Sequence, residues 1–93
     1  MTSNDQANYS GIELGMLLET AREMKGWTTS DAAMRIGVGE NHISAMEQGD
    51  YSEFGHELDM LAVKLKIYAR KLDMSNDKIN SLISSTMSQL GGK

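Results

Sequence analysis

TTSDAAMRIGVGENHISAMEQGD, residues 28–50, decides how this chain folds. Thr28 is a good helix N-cap, and Asp31 can return a hydrogen bond to the cap's own N–H, as in a capping box. The segment Asp31-Ala-Ala-Met-Arg-Ile36 is therefore a short helix, and Gly37 closes it. Its small Ala32 and Ala33 permit another helix to pack closely. Gly37-Val38-Gly39 reads as a tight turn, after which a third helix runs from about Glu40 to Gln48. Ile43 and Met46 are its inward residues, with Val38 tucked in front. Gly49 accepts the left-handed conformation that a helix stop often needs.

Outward from this stretch the pattern stays helical. Leu14, Leu17, Leu18, Ala21 and Met24 recur at three- and four-residue spacing, which marks one apolar helix face from Ile12 onward. Gly26 stops that helix. On the other side, residues 50–56 form a loop with Tyr51 and Phe54 as anchors. A longer fourth helix carries Leu58, Leu61, Ala62, Leu65, Tyr68, Ala69 and Leu72 on one stripe and Lys64, Lys66, Arg70 and Lys71 on the other side. After a break at Asp73-Met74-Ser75, Ser75 or Asn76 can cap a fifth helix. Its apolar stripe is Ile79, Leu82, Ile83, Met87 and Leu90. No strand pattern and no internal repeat is visible. The fold class predicted is all-α, five helices around one core, with residues 1–11 a polar tail, 12–90 the domain and 91–93 a fraying end.

Composition narrows the function. The 93 residues hold no cysteine and no proline, which excludes a disulfide scaffold and a cysteine-based zinc site. Apolar runs never exceed about five residues, where a membrane span needs about twenty. The N-terminal MTSNDQANYS lacks the basic start and apolar run of a signal peptide, so the cytoplasm is the expected location. His42 and His56 have no metal-ligand spacing, no activated-serine motif occurs, and Gly37-Val38-Gly39 lacks the third glycine of a dinucleotide fingerprint. The methionines read as core or rim filling. No catalytic residue, metal or cofactor is predicted, and the chain is read as a binding module rather than an enzyme.

The net charge of −4 repels a polyanion at long range. Its distribution is uneven: residues 1–50 carry −5, whereas residues 51–93 carry +1 and contain the one basic cluster, on the fourth helix.

The short second and third helices with their glycine turn have the spacing of a helix-turn-helix. Leu14-Gly15, Ala21-Arg22-Glu23, Gly26-Trp27-Thr28 and the run Gly37-Val38-Gly39-Glu40-Asn41-His42-Ile43-Ser44, followed by Glu47-Gln48-Gly49-Asp50, resemble the Cro/C1-type (Xre-like) helix-turn-helix family. Gly49-Asp50-Tyr51 and Tyr68-Ala69-Arg70-Lys71-Leu72 are similar to its RodZ-like subgroup, cytoplasmic domains that grip a bacterial actin homologue. The resemblance covers about residues 12–83. It implies an internal ion pair between Arg22 and Glu47. In RodZ-like domains aromatic residues stand outward on helix four; the matching positions here are Met60 and Lys64.

Two functions follow as expectations. The first is a DNA-binding transcription regulator, dimeric through helix five, that inserts helix three into the major groove. With Ile43 and Met46 inward, Glu40, Asn41, Ser44, Ala45 and Gln48 face outward. Asn and Gln can contact adenine through two hydrogen bonds, Ser can reach a phosphate or base edge, Glu40 can accept from cytosine, and Ala45 can touch a thymine methyl. Thr29, at the N-terminus of helix two, suits a phosphate. A twin would set two third helices about 34–36 Å apart. The alternative is a RodZ-like adaptor that holds an actin-type filament or another protein through helix four, at Met60, Lys64, Arg70 and Lys71.

Overall fold

A computed structural model describes residues 9–51, 54, 58–74 and 76–91. Among them are five helices and no strand: α1 Tyr9–Met24, α2 Thr29–Ile36, α3 Glu40–Gln48, α4 Leu58–Lys71 and α5 Asp77–Gly91. The helix punctuation follows local chemistry. Thr28 caps α2, its hydroxyl accepting from the Asp31 N–H at 3.0 Å while the Asp31 carboxylate accepts from the Thr28 N–H at 2.9 Å. Gly37 and Gly49 close α2 and α3 at φ 77° and 72°, a left-handed conformation that costs a residue with a Cβ about 1–2 kcal/mol. Asn76 caps α5, its side-chain oxygen accepting from the Ile79 N–H. α1 begins at Tyr9, ahead of the expected Ile12, so residues 9–11 are helical rather than tail. Residues 1–8, His56 and Glu57, and the end of the chain after Gly91 lie outside the described residues.

The helices close a ring. α1 packs on α3 and α5, α3 also on α2, α2 also on α4, and α4 also on α5. Leu14, Leu18, Ile43, Met46, Leu61, Leu65 and Tyr68 are wholly enclosed within it. Tyr51 and Phe54 anchor the loop before α4 as buried members of the same core. Ile79 and Ile83 are buried, with Leu82, Met87 and Leu90 half-buried against the core, so the first half of the α5 stripe closes the ring.

Two apolar assignments are corrected. Met24, read as part of the inner face of α1, is 83 % exposed, because the helix ends there and Trp27 turns in to cover the core instead. Met16 and Met34, read as core or rim filling, are likewise exposed and take no part in the core. α1 and α3 cross at Gly15, where a Cβ would stand 2.1 Å from the Glu47 carbonyl oxygen.

Candidate functional site

The α2–α3 unit presents a polar face with little positive charge. Glu40, Asn41 and Gln48 are exposed and Ser44 is half-exposed. Ala45 is not on this face: it is 6 % exposed, so the outward assignment made for it is corrected. Ile43, Ala45, Met46 and Glu47 are all buried, because α3 is held by α1 as well as by α2 and its inner arc is wider than one stripe. His42 is half-buried, its ring centroid 4.6 Å from that of Phe54. At the start of α2 the Thr29 hydroxyl donates to Glu40 Oε1 at 3.3 Å, and Asp31 occupies the cap. The two backbone and hydroxyl donors of Thr28 hold the Asp31 carboxyl below its ordinary range. Two carboxylates thus stand where a helix N-terminus would otherwise receive a phosphate. The single base of α2 and α3, Arg35, lies 4.4 Å from the ring centroid of Trp27.

Behind this face lies a buried polar network. Arg22 Nε and Nη2 donate to the two oxygens of Glu47 at 2.7 and 3.2 Å, and Arg22 Nη1 donates to the Trp27 carbonyl at 2.7 Å. The Tyr68 hydroxyl also donates to Glu47. Arg22 is 8 % and Glu47 7 % exposed, so the carboxylate is matched by donors from α1 and α4. That hydrogen-bonded carboxylate raises the pKa of Arg22, while burial first and the same carboxylate second raise that of Tyr68. Tyr68 was read from the sequence only as a core residue. Its one signal was a polar-tipped aromatic in an otherwise aliphatic stripe.

A sequence profile of a family described as helix-turn-helix domain matches residues 17–79, from within α1 to the start of α5. The chain belongs to the helix-turn-helix domain family. No curated protein and no solved structure matches it significantly. Families of this kind are binding domains, and two surfaces of this helix-turn-helix domain compete for that role.

The second surface is the outer side of α4. Here the helix-turn-helix domain exposes Met60 by 46 % and Val63 by 49 %, with Ile67 half-buried beside them. Lys66, Arg70 and Lys71 are exposed around this strip and Lys64 half-exposed. Val63 and Ile67 were missed in the sequence, although they lie at the three- and four-residue spacing of one helical face. The α4 cations differ from the others. Arg22 is paired with Glu47, Lys25 with Asp73 at 2.9 Å, Lys78 with Glu13 at 3.8 Å, and Arg35 stacks on Trp27. Among the described residues, only the four on α4 have no ion pair, hydrogen bond or ring contact. No described helix is long and apolar enough to cross a membrane, and no described His, Asp and Glu cluster could hold a metal ion.

Proposed function

We propose that this helix-turn-helix domain is a protein-binding adaptor that docks an acidic partner on the outer face of α4. One contrast carries the reading. The α4 face offers exposed Met60 and Val63 among four unpaired cations, whereas the α2–α3 face offers Glu40, Asp31 and a single cation, Arg35, stacked on Trp27. Phosphate neutralisation supplies most non-specific affinity for DNA, and α3 has no base to supply it. An apolar centre ringed by complementary charge is the ordinary anatomy of a protein interface. The resemblance to RodZ-like domains makes an actin-type filament the first partner to try. Met60 then takes the place of an aromatic anchor, with an adaptable thioether rather than a rigid ring.

The DNA-reading regulator is the second reading, favoured by the exposed Asn41 and Gln48 on α3. Ala45 has no part in it, and of the α5 stripe that would join two copies Ile79 and Ile83 are buried in the core, which leaves the half-buried Leu82, Met87 and Leu90 for a seam.

Co-sedimentation with the host's actin homologue, beside fluorescence anisotropy with upstream and scrambled duplexes, separates the two. The adaptor reading expects the wild-type domain to pellet with filaments. Val63→Asp and the pair Lys64→Glu, Arg70→Glu should each cut that binding at least about tenfold. Tight discrimination between the duplexes, lost in Asn41→Ala, Gln48→Ala, would put the regulator in its place.

A further inference from the structure

Between α4 and α5 lies a hollow of about 330 Å³ lined by Lys66, Ala69, Arg70, Asn80 and Ser84. The hairpin register explains the grouping. α4 and α5 are joined by a short turn; Arg70 and Asn80 lie nearer to it, and Lys66 and Ser84 each lie four residues further out along their helices. Each pair of neighbours along one helix is four residues apart and so projects from one face. Ala69, 2 % exposed, contributes only a methyl group, which leaves the space open. Everything polar around that space can donate: an ammonium, a guanidinium, a carboxamide and a hydroxyl. Among the described residues no carboxylate lines it, and none of the four polar side chains has a partner.

Resting on the adaptor reading, we propose that this hollow is a subsite for one carboxylate side chain of the docked protein. The planar guanidinium of Arg70 can take both carboxylate oxygens, which a lysine alone cannot do. Asn80 and Ser84 supply neutral donors from the opposite wall, and Lys66 adds charge. Two features favour a single carboxylate of a protein over a run of phosphates. The polar hollow that shares Asn80 and Ser84 with this one is lined by Asp77, which repels a second negative charge. In the helix ring, moreover, α3 lies between α1 and α2, whereas the hollow belongs to the α4–α5 pair. A duplex seated on the outer face of α3 would meet α1 and α2, its neighbours in the ring, before the α4–α5 pair. The subsite adjoins the Val63 strip, so an apolar side chain and an acidic one on the partner would be read together.

The test uses the whole chain, labelled with nitrogen-15 and titrated with acetylated hexaglutamate at physiological ionic strength. The side-chain resonances of Arg70 (Nε–H) and Asn80 (Nδ2) should shift saturably. Affinity should fall about tenfold in Arg70→Gln and about threefold in Ser84→Ala, with helix content unchanged by circular dichroism. Shifts spread evenly over Lys25 and Lys78 would reduce the effect to general charge attraction and overturn the subsite. So would the absence of saturation. Stronger shifts of the same reporters by inorganic phosphate or a scrambled duplex would overturn the carboxylate assignment. An uncharged change, Val63→Ser, separates this claim from the one it rests on: it should weaken filament binding while leaving the hexaglutamate shifts in place. Filament binding without any hexaglutamate shift sinks the subsite alone.

Discussion

Two buried tyrosines show how much a single hydroxyl depends on its partner. The Tyr68 hydroxyl donates to Glu47, which also receives Arg22. The Tyr51 hydroxyl is buried with no partner among the described residues. Removing the first leaves an enclosed carboxylate short of a donor, so Tyr68→Phe should cost about 1–3 kcal/mol in urea unfolding. Removing the second discards an unsatisfied group, so Tyr51→Phe should be neutral or stabilising by up to about 1 kcal/mol. Their pH behaviour has one sign. Burial holds Tyr51 at about 12 and pushes Tyr68 up as well, against an ordinary value of about 10. Above the ordinary value the unfolded chain gives up protons that the folded protein keeps. Their contribution is therefore whole below about pH 10 and is lost as pH rises through the folded values. Comparing urea midpoints at about pH 9 and about pH 11, Tyr51→Phe should show a smaller alkaline loss than the wild type. An equal loss in both would mean that the Tyr51 hydroxyl is not shielded as the fold implies.

Between elements, the tightest constraint is the crossing of α1 over α3. Gly15→Ala should by itself favour helix by about 1 kcal/mol. The added Cβ would meet the Glu47 carbonyl oxygen at 2.1 Å and the Met46 carbonyl oxygen at 2.8 Å, and both are backbone that cannot swing aside. A net loss of about 3 kcal/mol is expected from thermal unfolding. Gly37→Ala, where nothing lies within 4 Å of the new Cβ, should lose only the smaller conformational cost. The reverse ranking would remove the close crossing from the account. This constraint also marks what could be read from sequence. Thr28 with Asp31, Gly37 and Gly49 punctuate helices through bonds to their own neighbours, so their positions were legible to the residue, and the cap of α5 was legible to within Ser75 or Asn76. Gly15, Ala45 and Tyr68 act through elements distant in the chain, and periodicity gave no sign of the crossing, the wider inner arc or the hydrogen bond to Glu47. The candidate surfaces divide the same way. The α4 cations were plain as a cluster, while Val63 and Ile67 joined them only when the packing of α4 fixed which side faced outward. Asn80 and Ser84 needed the α4–α5 hairpin to bring them to Lys66 and Arg70.

Over the whole molecule, net charge and local charge have opposite signs. The chain carries −4, yet its unpaired described cations gather on α4, because Arg22, Lys25, Arg35 and Lys78 are engaged elsewhere. The two descriptions predict opposite salt effects on an acidic partner. If the total charge governed the encounter, added salt would screen a repulsion and association would speed up. If the α4 face governs it, salt screens an attraction and association slows. Screening length is about 10 Å at 0.1 M salt, shorter than the described molecule's smallest extent of 23 Å. Near contact the partner therefore senses the α4 face more than the acidic remainder. The rate of association with filaments, followed by stopped-flow light scattering, should fall about tenfold between about 0.01 and 0.15 M salt. Lys66→Glu with Arg70→Glu should flatten or reverse that slope while leaving the fold intact, since neither side chain has an internal partner among the described residues. A rate that rises with salt in the wild type would return control to the net charge and leave the α4 cations as ordinary solvated surface.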